Sequence, residues 1–232
     1  MADSLKILAY DETPLGVLCL RQRLTLAEPR CWVTEVTLNH EFLMSSLHTD
    51  SERALANLAI SRVSGDNLRV LVGGLGLGYT ASEAVKSERV AVVCVYELLP
   101  QVIQWMHSGL VPLSTQISGE DRVSIQQGDV YAHLLADDPA DERWDVILID
   151  VDHSPEDQLS ESDHGFYTLD GLTRAIRHLQ PGGVMAFWSY EQNVHLSNVM
   201  RSVFRKAELL PITYQNQHVG ESFTDWLFIG RL

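Results

Sequence analysis

From Leu68 onward the chain alternates short apolar runs with stretches whose apolar residues recur every three or four positions. This pattern predicts strands at 68–73, 90–96, 122–126, 144–150 and 183–188. Between and after them it predicts helices at 79–87, 99–107, 130–136, 169–179 and 192–204. The run Val90-Ala91-Val92-Val93-Cys94-Val95 has no polar interruption, as a strand covered on both faces requires. Gln180-Pro181-Gly182-Gly183 is expected to stop a helix and start a strand. Leu209 to Tyr214 and Phe223 to Ile229 read as a final pair. The alternation predicts an α/β fold with a doubly wound, Rossmann-like, mostly parallel seven-stranded sheet.

Residues 1 to about 48 follow a different rhythm. Lys6 to Tyr10, Gly16 to Leu20 and Trp32 to Leu38 are strand candidates, separated by turn-like Asp11 to Pro14 and Glu28-Pro29-Arg30. They predict a small N-terminal antiparallel β-sheet. The expected division is a β-rich subdomain at 1–48 and a Rossmann-like nucleoside-binding domain at 49–232. Thr49 or Asp50 is placed to cap a helix running to about Val63.

Composition narrows the partners. The 232 residues are 45% hydrophobic and carry a formal net charge of −14. A nucleic-acid surface is normally basic, so no nucleic-acid partner is expected. No apolar run approaches the roughly 20 residues that span a bilayer, so no membrane partner is expected. The N-terminus lacks the basic and apolar regions of a secretory signal. Cys19, Cys31 and Cys94 are far apart and form no CxxC motif, and the simplest setting is a reducing cytoplasm. The acidity fits solubility, and leaves open an acidic cleft for a small cationic substrate.

The chemistry concentrates at predicted strand ends. Leu68 to Gly73 runs into Gly74-Leu75-Gly76-Leu77-Gly78 and then into a helix. Gly74, Gly76 and Gly78 let backbone approach a ligand, and the following helix offers free N–H groups. Glu97 ends the second strand, where a carboxylate can accept from both ribose hydroxyls. Gly128 and Asp129 end the third, where an acid can accept from an adenine amino group or simply cap the next helix. Asp150 and Asp152 end the fourth, beside the reacting end of a ligand. Tyr79 stands where a dinucleotide fingerprint has its third glycine, and the second acid suits a methionine-derived adenosine better than NAD.

Here the chain resembles a known family. The glycine loop is followed by Val95-Tyr96-Glu97-Leu98, Gln127-Gly128-Asp129-Val130 and Trp144 to Asp150, then by Gly165-Phe166-Tyr167-Thr168 and Leu179 to Val184. This order is similar to that of the spermidine synthase, or polyamine aminopropyltransferase, superfamily. It is most like a bacterial spermidine-synthase-like branch, with Phe42-Leu43-Met44-Ser45-Ser46 before the core. The resemblance implies ribose binding by Glu97, adenine binding by Asp129 and a catalytic role for Asp150. It implies transfer of an aminopropyl group from decarboxylated S-adenosylmethionine to an amine such as putrescine, and a homodimer.

The chain departs from that family's pattern in three places. The glycine loop has no acid, whereas family members carry an aspartate that holds the aminopropyl nitrogen. Ser51-Glu52-Arg53 stands in place of a Tyr-His-Glu segment, and the fourth loop reads Asp150-Val151-Asp152-His153-Ser154-Pro155. Asp152 or Glu52 is the candidate replacement for the missing acid. Glu52, His153, Tyr167 and Trp188 are the substrate-binding candidates, with Tyr190 beside Trp188 as a stacking residue. Glu156, Asp157, Glu161 and Asp163 are placed to draw in a polyamine, or to form a solvated loop. His153 and His164 lack ligand spacing, and no metal is expected. Use of intact S-adenosylmethionine by a methyltransferase, and ligand binding without catalysis, stay open as alternatives.

Overall fold

The computed structural model describes residues 4–26, 28–136, 142–151, 165–216 and 220–232. Its N-terminal part is an antiparallel meander of β1 (Leu5–Thr13), β2 (Gly16–Leu24), β3 (Trp32–Leu38) and β4 (Glu41–Ser45). The pattern of the chain missed β4. Its hairpin turns on Asn39 and His40, with φ of 51° and 70°. Two positive φ values are what a tight hairpin needs, but Asn-Gly is its usual signature and His40 disguised it. Asn39 fixes the turn by accepting from Val17 N at 2.9 Å and donating to Leu15 O at 3.0 Å. The first hairpin is also longer than its apolar cores, and Asp11 to Thr13 continue β1 instead of turning.

The second part contains α1 (Asp50–Ser61), β5 (Leu68–Gly73), α2 (Tyr79–Lys86), β6 (Val90–Glu97), α3 (Pro100–His107) and α4 (Ser114–Ser118). It continues through β7 (Val123–Gln127), α5 (Val130–Leu134), β8 (Trp144–Ile149) and α6 (Leu169–Ala175). It ends with β9 (Leu179–Ser189), α7 (Val194–Val203), β10 (Lys206–Asn216) and β11 (Glu221–Arg231). The seven-stranded sheet has the order β10-β11-β9-β8-β5-β6-β7. Strands β5 to β9 pair parallel, and β11 runs antiparallel between β9 and β10. The chain winds outward from β5 to β7, then returns to β8 on the other side of β5. That reversal opens a crevice at the carboxyl ends of β5 and β8, where such sheets take their ligands.

Period-two alternation divides the core. Val70, Val72, Val93, Val95, Val146 and Leu148 face one side, with Leu55, Ala59 and Met106. Leu71, Cys94, Ile147 and Ile149 face the other, with Tyr131, Phe166, Leu172 and Met200. Each fully buried aliphatic or aromatic side chain contributes about 1.5–3 kcal/mol. This explains the near-continuous apolar strands.

The predicted helix at 169–179 is shorter than expected. It ends at Ala175, a 3-10 turn covers Ile176–His178, and β9 begins at Leu179. Leu179 pairs with Trp144, and the ladder slips between Trp144 and Val146 to accommodate Pro181 and Gly182. Thr49 occupies the N-cap of α1 without a capping side-chain bond; its Oγ1 accepts from Arg53 Nε at 3.0 Å. No helix of the described residues is long and apolar enough to cross a membrane.

Candidate active site

The glycine loop folds as a tight turn because all three glycines adopt conformations that L side chains resist. Gly74, Gly76 and Gly78 have φ of 93°, 48° and 91°. A Cβ on Gly74 would lie 2.2 Å from the Asp150 carbonyl oxygen, so the loop can pack directly on the end of β8. Gly74 N donates to Tyr96 O at 2.9 Å, and Asp150 N donates to Gly73 O at 2.9 Å. These bonds draw three strand ends together.

On the β6–β7 side a smaller cavity is lined by Gly74, Gly76, Tyr96, Glu97, Gly128, Asp129 and Asp150. Glu97 is 8% exposed. Its two carboxylate oxygens accept from Leu75 N at 2.9 Å and Leu99 N at 2.8 Å. Burial raises its pKa, while those backbone N–H groups pull it down. Asp129 caps α5, its Oδ1 accepting from Tyr131 N at 2.8 Å and Ala132 N at 3.3 Å. Its other oxygen is not used by the cap. A Cβ on Gly128 would lie 3.3 Å from the Tyr96 ring, so glycine keeps this wall thin.

On the β8–β9–β11 side a cavity of about 600 Å³ opens between the two sheets. Its walls include Met44, His48, Ser51, Glu52, Asp150, Trp188, Tyr214 and Asp225. Thr80 Oγ1 donates to Asp150 Oδ2 at 2.5 Å. Ser51 Oγ lies 2.6 Å from Asp225 Oδ2 and 3.2 Å from Glu52 Oε2. Burial pushes the Asp150 carboxyl up to about 6; Thr80 opposes this and the Asp225 charge adds to it. Glu52 is pushed up to about 8, first by burial and then by the Asp150 charge. Asp225 is raised by burial, with Ser51 and the Trp188 indole opposing. Tyr214 is pushed up to about 12 by burial, then by Asp225 and Glu52. The Trp188 indole Nε1 and His48 Nε2 are buried and meet no partner at full hydrogen-bond geometry; the indole reaches toward Asp225 without closing a bond.

The charge of this cavity is one-sided. Arg23 is the sole lysine or arginine among its described lining residues, and it is held by Glu35 at 2.7 Å. Glu52, Asp150 and Asp225 therefore face the space without a fixed guanidinium or ammonium. Among the described residues, no three metal-ligating side chains converge as a metal site would need. Such a cavity suits an organic cation.

The predicted residues divide accordingly. Gly74, Gly76, Gly78, Glu97, Gly128, Asp129 and Asp150 converge, and Glu52 and Trp188 join them from the larger cavity. Tyr167 does not line either cavity: it is 8% exposed, and its hydroxyl lies 2.8 Å from that of Tyr131. It packs edge-on to Phe166, in the core beneath the site. Asp152, His153, His164 and the acids at 156, 157, 161 and 163 lie outside the described residues. The pattern of the chain missed Thr80, Ser51, His48, Tyr214 and Asp225. Only Asp225 carried a signal, as a lone acid within the apolar run Phe223 to Ile229.

Sheet order, glycine loop and acidic strand ends together define a class I S-adenosylmethionine-dependent transferase fold. Within that class the chain has the architecture of the spermidine synthases. A spermidine synthase solved with the transition-state analogue AdoDATO matches with a TM-score of 0.76 at 14% identity, over 97% of this chain and 73% of that one. The spermidine synthase of Thermotoga maritima matches with a TM-score of 0.73 at 13% identity, over 97% and 72%. In sequence, the chain is 25% identical over 163 residues to a polyamine aminopropyltransferase of Oceanobacillus iheyensis. That match covers 69% of this chain and 30% of the relative, so the chain spans less than a third of that protein. No protein-family model matches.

Proposed function

We propose that the chain transfers an aminopropyl group from decarboxylated S-adenosylmethionine to a polyamine amine, releasing methylthioadenosine. The observation that carries this reading is the buried acid set Glu52, Asp150 and Asp225 in a cavity at the topological switch, without a free fixed cation among its described lining residues. The polyamine aminopropyltransferase relative supports it. Glu97 accepts from the ribose, Asp129 from the adenine, and the glycine loop holds the nucleoside against β5.

The amine nitrogen attacks the carbon next to the sulfonium. The N–C bond forms, the C–S bond breaks and the electron pair returns to sulfur. A free alkylamine is protonated near neutral pH, as lysine is with a pKa of about 10.4. Asp150, with its carboxyl near 6, is ionised at pH 7 yet more basic than an ordinary aspartate. It orients the amine and takes its proton. In-line positioning supplies much of the remaining acceleration. The working form in this reading is a cytoplasmic homodimer.

One observation favours a second reading. Leu75 and Leu77 fill the glycine loop where an acid would hold an aminopropyl nitrogen, and both are 4% exposed. This fits an intact S-adenosylmethionine donor and methyl transfer. Product analysis separates the two. Incubation with both donors and a panel of di- and polyamines is expected to yield methylthioadenosine, and Asp150→Asn to lower kcat about 10²–10⁴-fold. S-adenosylhomocysteine as the sole product would establish the second reading. Ligand binding without either product would leave a binding protein.

A further inference from the structure

The larger cavity holds more acid than one proton transfer uses. Asp150 suffices to receive the proton of the reacting amine. Asp225 lies elsewhere in the wall, on β11, an interior strand paired to both β9 and β10. It is 7% exposed, and its carboxylate is fixed by Ser51 at 2.6 Å, from the first turn of α1. Residues two apart on a strand share a face, so Asp225 projects with Leu227 toward the α1 side of the sheet. Leu227 pairs with Trp188, whose buried indole N–H interacts with Asp225 without reaching full hydrogen-bond geometry. Ser51 is the one donor to Asp225 at full hydrogen-bond geometry, and the Trp188 indole and His48 assist from farther off. Among the described residues no free lysine or arginine lines its cavity, so the buried carboxylate is weakly compensated. The buried Nε atoms of Trp188 and His48, neither of which meets a partner at full hydrogen-bond geometry, belong to the same cavity wall.

We propose that Asp225, held in place by Ser51, is a specificity-determining residue that receives the ammonium of the amine substrate farthest from the reacting nitrogen. The assignment rests on the aminopropyl-transfer reading for its chemistry, but not for its geometry. Glu52 shares the Ser51 hydroxyl with Asp225, at 3.2 Å and 2.6 Å, and lines the same cavity as Asp150, so the three carboxyl groups form one acidic track. An amine with cationic groups at both ends spans that track. A monoamine of the same length leaves Asp225 uncompensated. The cavity therefore discriminates by the second charge as well as by chain length.

The test compares putrescine with n-butylamine, which matches its carbon chain and lacks one amine. Initial rates with decarboxylated S-adenosylmethionine are measured for the wild type and Asp225→Asn. The ratio of kcat/KM for putrescine to that for n-butylamine is expected to fall roughly tenfold to a hundredfold, the effect of losing one ionic hydrogen bond. The loss should lie in the KM for putrescine. Ser51→Ala should move the ratio the same way by less. An unchanged ratio, or an equal loss on both amines, overturns the assignment.

A second arm needs no turnover. Calorimetric titration of putrescine into each protein with methylthioadenosine present is expected to show weaker binding by Asp225→Asn. Equal binding by both proteins overturns the role of Asp225, as does a wild type that does not bind putrescine. If the wild type binds putrescine through Asp225 yet forms no product, the reaction reading fails and the assignment of Asp225 stands. Should Asp225→Asn fail to fold, Ser51→Ala and Asp225→Glu carry the same comparison.

Discussion

At the scale of single residues, the site depends on how each carboxylate is compensated. Glu97 is as buried as Asp225 but accepts two backbone N–H bonds, so fixed dipoles offset part of its burial. Asp150 has one strong donor, Thr80, and feels the charge of Asp225. The proposed base must be ionised, so the acid limb of the rate profile should follow Asp150, with half-activity near pH 6. Thr80→Val keeps the shape and removes the hydroxyl that favours the ionised form. An ionic hydrogen bond of about 1.5 kcal/mol corresponds to about one pH unit. The acid limb of Thr80→Val is therefore expected about one unit higher in pH–rate profiles. A limb that does not move would remove Asp150 from the role of base. The strand-end acids were legible because each ends an apolar run. Ser51 and Thr80 were not, because their partners lie 174 and 70 residues away along the chain and a hydroxyl marks no period.

At the scale of elements, legibility followed burial. The five parallel strands were readable because both faces are covered and polar positions are scarce. Elements defined by turns were less readable. β4 depends on the positive φ of Asn39 and His40, and the start of β9 on a ladder slip that tolerates Pro181. The glycine loop was legible as a tight turn at a strand end, and its geometry makes unequal demands that spacing alone does not reveal. Gly74 and Gly65 have nearly the same φ, 93° and 92°, but Gly65 has open space where Gly74 meets the Asp150 backbone. Gly65→Ala is therefore expected to cost only left-handed strain, about 1–2 kcal/mol. Gly74→Ala must also displace the end of β8, and is expected to cost about 3 kcal/mol or more. Urea unfolding of the two variants measures the difference. Equal losses would mean that the loop and β8 are not in direct contact.

At the scale of the whole molecule, the two sheets meet across the acid-lined cavity, and stability becomes linked to proton binding. Met44 and Ser45 of β4 form one wall, and Asp150, Trp188 and Asp225 form the other. Glu52, on the first turn of α1, lies in the same cavity. Its carboxyl moves from an ordinary 4.5 to about 8, and that of Asp150 from 3.8 to about 6. Between the two values of each group, the folded chain holds more protons than the unfolded one. Stability from these groups is thus fully present below about pH 4 and is lost as pH rises, through about 6 for Asp150 and about 8 for Glu52. Melting temperature in ligand-free buffer should fall between pH 5 and pH 8.5, on the order of 5 °C for a chain of this size. Glu52→Gln keeps the volume and removes the charge, so its melting temperature should fall less over the same range. Putrescine should restore the wild type more at pH 8.5 than at pH 5, because a cation compensates only ionised acids. Parallel pH profiles for the wild type and Glu52→Gln would show that Glu52 keeps an ordinary carboxyl, and the cavity would then hold its negative charge without strain. A steeper wild-type profile that putrescine flattens ties the loss of stability at high pH to this cavity and supports the proposed amine ligand.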